Sequence, residues 1–218
     1  MRLRDRLGIG ERRQRQITWA MELVMFGVLL VGFWKRNVPI IANAGVALAI
    51  AQIVPLLERD YGIPLDAGLT LWITSAVFLH AFGTIGVPGG DSFYRTIWWW
   101  DHMTHALSSS VVAGVGYATV RAIDEHSEQT HLPPRFIFVF ILMFVLAYGV
   151  FWEIIEFALA EGAALLGTGT VLTQYGLADS LMDLVFNTLG AVIVSIWGTA
   201  HLNDVSSYIE KRLERRAA

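Results

Sequence analysis

Residues 98–112, WWWDHMTHALSSSVV, decide how this chain is read. Three tryptophans meet an aspartate and two histidines, and an apolar, small-residue helical pattern follows. Indole rings favour the boundary between lipid headgroups and acyl chains. Trp98, Trp99 and Trp100 therefore mark a membrane surface, and Asp101-x-x-x-His105 stands where the chain enters the bilayer.

The composition agrees with that placement. Of 218 residues, 55% are hydrophobic and only 16% charged, and the mean hydropathy is +0.52, which is more apolar side chain than one soluble core of this size uses. The chain reads as an all-α, multi-pass protein of the cell membrane. A net charge of −3, with basic residues gathered near the two ends, offers no basic face for nucleic acid. There are no cysteines, which excludes disulfides, thiolate metal sites and a cysteine nucleophile. Histidine, aspartate and glutamate remain as ligands.

Apolar runs long enough to cross about 30 Å of hydrocarbon fall at about 17–34, 37–57, 68–87, 103–122, 136–160 and 180–200. Breaks rich in Pro, Gly or charge separate them. The expected architecture is one integral membrane domain over 1–218, a six-helix bundle. The basic N-terminus resembles a signal peptide, but no small-residue cleavage site follows the first run, which is expected to be a retained span. Placing both termini in the cytoplasm puts Arg2, Arg4, Arg6, Arg12, Arg13, Arg15, Arg59, Arg121, Arg135, Lys211, Arg212, Arg215 and Arg216 inside, against Lys35, Arg36 and Arg95 outside. The 13-to-3 split satisfies the positive-inside rule and predicts an N-in, C-in topology.

That topology has a consequence for the polar residues. Asp101 and His105 fall in the outer turns of helix four, Glu153 and Glu156 towards the outer end of helix five, and Asp179, Asp183 and Asn187 in the outer half of helix six, with His80 at a similar depth on helix three. Residues three or four apart share a helix face, so each set forms a one-sided polar stripe. A carboxylate facing lipid costs roughly 2.5–3.5 kcal/mol on insertion scales, and the stripes are expected to face one another. Such carboxylates gathered with a histidine need a bound cation, shared protons or a water-filled cavity, and no intramembrane Lys or Arg stands nearby as counterion.

Plainer readings exist for several of these residues. Asp101 and Asp179 stand where helices begin and can serve as N-terminal caps, and His105 can bond a neighbouring carbonyl. Glu153 and Glu156 lack a capping role unless their helix ends near Trp152. His102 reads as an interface or packing residue, and His126 and His131 as solvated loop residues. Ser108, Ser109 and Ser110, like Gly114, Gly116 and Gly190, read as small residues that let helices approach. The Gly-rich stretch 161–178 is either a lid or re-entrant piece over the polar cluster or a loose interfacial loop.

Three elements, W100-DHMTHA, F151-WEIIE and Y175-GLADSLMDLVFNTLG190, together resemble the YjdF family of small inner-membrane proteins, which carries an Asp-x-x-x-His element, a paired-glutamate helix and an Asp-x-x-x-Asp-x-x-x-Asn-x-x-Gly helix. A more distant similarity is to VanZ-like proteins, some linked to glycopeptide resistance. The resemblance covers roughly residues 98–192 and implies site positions Asp101, His105, Glu153, Glu156, Asp179, Asp183, Asn187 and Gly190. His102 stands where a lysine commonly follows the aspartate. The resemblance implies a fold and a site and assigns no reaction.

The chemistry these residues suit is divalent-metal binding by His105, Glu153, Glu156 and Asp183, with Mg²⁺, Mn²⁺ or Zn²⁺ and Asp101 orienting His105. A metal-dependent hydrolase or transferase acting on a lipid-linked or envelope substrate is the leading expectation. The alternatives are an ion- or proton-coupled transporter and a non-catalytic structural or interaction protein of the bilayer.

Overall fold

The computed structural model describes residues 10–86, 89–126, 131–172, 174–197, 202 and 205–210. Among them the chain is helical throughout, without strands. The elements are α1 (Glu11–Lys35), α2 (Val38–Tyr61), α3 (Ala67–Gly83), a single turn α4 (Phe93–Thr96), α5 (Trp100–His126), α6 (Pro134–Leu166) and α7 (Leu177–Trp197). Five are long and apolar enough to cross a membrane, and α3, at 17 residues, is shorter. Arg2, Arg4, Arg6, Lys211, Arg212, Arg215 and Arg216, which carry much of the expected charge asymmetry, lie outside the described residues, as does the His126 side chain.

Three helices, α1, α5 and α6, extend past their apolar runs at both ends. α6 begins at Pro134, whose fixed φ suits a first turn, and continues to a left-handed Gly167. It therefore passes ten residues beyond Glu156, and both glutamates are interior to the helix. α3 instead ends at Gly83 rather than near 87, with Thr84 closing its last turn. The α1–α2 hairpin is tight. Arg36 takes φ 51° to reverse the chain, Asn37 caps α2 by accepting from the Ile40 amide at 3.0 Å, and Gly32 leaves space for Ile40 and Ile41.

α5 and α7 form the most closely packed pair, with α6 against both and α1–α3 as a second group joined to α5 through α3. Gly190 makes the α5–α7 crossing close: a Cβ there would strike the Ala106 carbonyl and the Ser109 hydroxyl. Ser109 also donates to the Asn187 carbonyl at 3.2 Å, and Trp72 of α3 donates to Ser110 at 3.0 Å. Gly114 packs under Trp72 and Gly116 against Phe144. The small residues of α5 thus serve as helix contacts.

The tryptophan triplet divides. Trp98 and Trp99 are exposed, as interfacial anchors are, but Trp100 is buried. It stacks on Phe93, donates to the Leu79 carbonyl at 3.2 Å and covers Gly83. Its neighbours become surface anchors because α5 begins at Trp100 and turns that ring inward onto α3.

Candidate functional site

The buried stripe of α6 changes chemistry along its length. Ile137, Ile141, Val145, Gly149, Glu153 and Glu156 are its buried residues, spaced four, four, four, four and three apart, one continuous helix face. The first three fill the α5–α6–α7 core. Gly149 then clears room for Asn187 and Leu184 of α7, whose atoms would stand 2.7 and 2.9 Å from an added Cβ. Beyond it the same face presents two glutamates to α5 and α7.

α5 contributes Asp101, His102 and His105, and α7 contributes Asp179, Asp183 and Asn187. Their ligand atoms form three groups, each within 4.8 Å: Asp101, His105 and Asp183; His102, Asp179 and Asp183; and His105, Glu153 and Glu156. His105 and Asp183 each belong to two of them. Asn187 lies on the same side of the cluster as His105, lining one cavity with it. All seven residues expected from the sequence are therefore brought to one place.

Within the site, hydrogen-bonded and gapped contacts differ. His102 Nδ1 donates to Asp183 Oδ1 at 2.9 Å, and its ring stacks on Phe186 with centroids 5.0 Å apart. His105 Nε2 stands 3.6 Å from Asp101 Oδ1 and 3.9 Å from Asp183 Oδ2, beyond hydrogen-bond reach. Asp101 consequently faces His105 across a gap instead of orienting it through a bond. Glu156 accepts from Trp152 Nε1 at 2.9 Å, while Glu153 has Gln174 at 3.4 Å from one oxygen and no partner on the other, Oε1, although it is buried. A buried carboxylate oxygen without a donor is costly.

His102 packs, as its sequence position suggests, and also pairs with Asp183. Nothing in the sequence showed that Asp183 would lie opposite it. Gln174, Trp152, Asn43 and Tyr94 also join the surroundings without prior indication. Both amide hydrogens of Asn43 are used on the Pro39 and Val171 carbonyls, at 2.9 and 2.8 Å. Its Oδ1 is thus left to accept from His80 Nε2 at 3.0 Å, which puts the His80 proton on Nε2 and lets Nδ1 accept from the Tyr94 hydroxyl at 2.8 Å. His131 is exposed, in keeping with a solvated loop.

The segment after α6 lies against the cluster. Asn43 ties Val171 to α2, Gln174 bonds Glu153 and Ser180, and the Tyr175 amide donates to Asp179 at 3.0 Å. A cavity of about 740 Å³ lies between this strap, the α1–α2 turn and the α3–α4 connection. Asp101, Glu156 and His80 face it from within, and Lys35, Asp91 and Arg95 stand at its rim.

Comparison with known proteins places the chain among membrane proteins. Residues 17–204 match a family model described as a predicted membrane protein, DUF2238. The match takes in α1 and α2, which carry none of the motif resemblance. An uncharacterized protein of Thermotoga maritima is 32% identical over 125 residues, 55% of this chain and 56% of the relative. The aligned region thus spans little more than half the relative's length. No solved structure matches.

Proposed function

The chain belongs to the DUF2238 family of predicted membrane proteins, and on that footing we propose that it is a metal-dependent membrane hydrolase or transferase acting on a lipid-linked or envelope substrate. The observation that carries this reading is the shared position of His105, whose imidazole lies in one ligand group with Asp101 and Asp183 and in another with Glu153 and Glu156. Separations of 3.6 and 3.9 Å between donors are too long for hydrogen bonds and slightly wider than the roughly 3–3.4 Å that separates neighbouring ligands around one ion with bonds of 2.0–2.2 Å. The partnerless Glu153 oxygen fits the same purpose.

His105, Glu153, Glu156 and Asp183 would be the ligands, and the mixed imidazole and carboxylate set suits Zn²⁺, Mn²⁺ or Mg²⁺. Such an ion polarises a phosphoryl oxygen and makes a bound water a nucleophile at neutral pH. His102 positions the Asp183 carboxylate and Trp152 positions Glu156, while Asn187 lies beside the His105 ring. Asp101 and Asp179 complete the site, Asp101 on its cavity side. The VanZ-like similarity lends no step to this reading.

The membrane placement belongs to the same proposal. A 17-residue α3 spans about 25 Å, short of the roughly 30 Å core, and completes a sixth crossing where the bilayer thins locally. Among the described residues, Arg12, Arg13, Arg15, Arg59, Arg121 and Arg135 sit at the opposite end of the helices from Lys35, Arg36 and Arg95. This bias supports an orientation with the acidic cluster towards the outer face of the cell membrane.

The test is metal content. Protein stripped with EDTA and re-equilibrated with Mn²⁺, Mg²⁺ or Zn²⁺ is expected to take up at least one ion per chain with a rise in Tm, and Glu153→Gln and His105→Ala are expected to lose both. Folded protein that binds none of the three ions ends the proposal.

A further inference from the structure

A second cavity, of about 400 Å³, lies deeper in the helices, between α2, α3, α5 and α6. Its walls are mainly apolar, including Val46, Ile50, Val77 and Val111, and Val46 and Ile50 are exposed, so it opens sideways to the bilayer. His105, Ser108 and Asn187 reach its inner surface. It meets the polar cavity at Asn43, His80, Val171 and Leu172, which line both.

From this juxtaposition we infer that the two cavities form one site for a single-chain lipid with an anionic phosphate headgroup, its chain in the apolar cavity and its phosphate in the polar one. Each volume lies within the range of about 300–1,000 Å³ that small-molecule pockets occupy. The polarity changes at the junction, as an amphiphile requires. Val46 and Ile50 border a side entrance through which an apolar chain enters without crossing water. At the other end Lys35 and Arg95 offer cationic donors at the rim, and phosphate takes charge-assisted bonds from such groups. Tyr175 lines the same cavity beside Arg95. A lone acidic pocket would repel a phosphate, and these two cations are what make the headgroup anionic.

The inference deepens the proposed function by naming its substrate class, and it rests on that reading only for what happens next to the carboxylates. Binding is therefore measured with labelled hexadecyl phosphate in phosphatidylcholine nanodiscs, with the protein once in EDTA and once in Mn²⁺. Hexadecanol and inorganic phosphate serve as the chain-only and head-only probes. Hexadecyl phosphate is expected to bind at least about tenfold more tightly than either, a margin of about 1.4 kcal/mol. Arg95→Gln is expected to erase most of that margin over hexadecanol. Val46→Trp, or Ile50→Trp should the first variant fail to fold, is expected to weaken hexadecyl phosphate and hexadecanol alike. Retention of this pattern in EDTA upholds the lipid site even if no metal binds. Equal binding of hexadecyl phosphate and hexadecanol overturns it, as does indifference to both tryptophan substitutions.

Discussion

Asp183 is the most deeply buried carboxylate of the cluster, with 1% of its side chain exposed, and the nearest donor to it is His102 Nδ1. A charge in so dry a place is tolerated only when paired and hydrogen-bonded. His102→Ala removes the donor and leaves the acceptor buried, a loss of about 1–3 kcal/mol, which for a chain of this size reads as a fall of several degrees in Tm. His102→Asn keeps an N–H at nearly the Nδ1 position and is expected to recover more than half of that fall, although the stack on Phe186 goes in both variants. Thermal unfolding in detergent compares the two, and equal Tm values for them would show that the ring packing, not the pair, is what matters. The sequence marked Asp183 plainly, as the middle of an i,i+4,i+8 stripe. It did not mark His102, because a histidine beside an aspartate reports only its own helix, and its partner stands on another.

At the scale of elements, the site depends on how closely α5, α6 and α7 approach. Gly149 and Gly190 set that distance at two crossings, one beside Asn187 and one beside Ser109. Gly190→Ala gains helix propensity of roughly 0.5–1 kcal/mol, but its methyl meets a backbone carbonyl that has nowhere to move. Overpacking of this kind costs about 1–3 kcal/mol, so the net expectation is a lower Tm together with weakened metal uptake, since Asn187 and Asp183 ride on the displaced helix. A Tm unchanged or raised by the substitution would mean that the crossing is looser than described. Gly190 was legible beforehand as a small residue on a helix face. The 161–178 stretch was legible only as an ambiguity between lid and loop, because the tether of its middle, the Asn43–Val171 bond, joins residues 128 positions apart.

For the whole molecule, the decisive quantity is direction across the bilayer. The absence of cysteine makes each single-cysteine variant a clean reporter. Asp91→Cys, exposed on the connection between α3 and α4, is expected to react with a membrane-impermeant maleimide in intact cells, and Glu58→Cys, exposed near the far end of α2, only after permeabilisation. The reverse pattern would put the acidic cluster and its cavities on the cytoplasmic side and remove the case for an externally accessible substrate.

The sequence by itself determined the membrane class, the long apolar helices and the one-sidedness of each polar stripe, because hydropathy and the 3.6-residue period are local properties of a chain. It also indicated which helix ends carry the acids. Tertiary structure alone decided that Trp100 turns inward, that His102 meets Asp183, that His105 lies between two carboxylate groups, and that a polar and an apolar cavity share Asn43 and His80 in their walls. Those outcomes depend on the rotation and spacing of one helix against another, set by contacts such as Gly190 on Ala106 between residues far apart along the chain. Periodicity assigns a residue to a face but does not say what that face will meet.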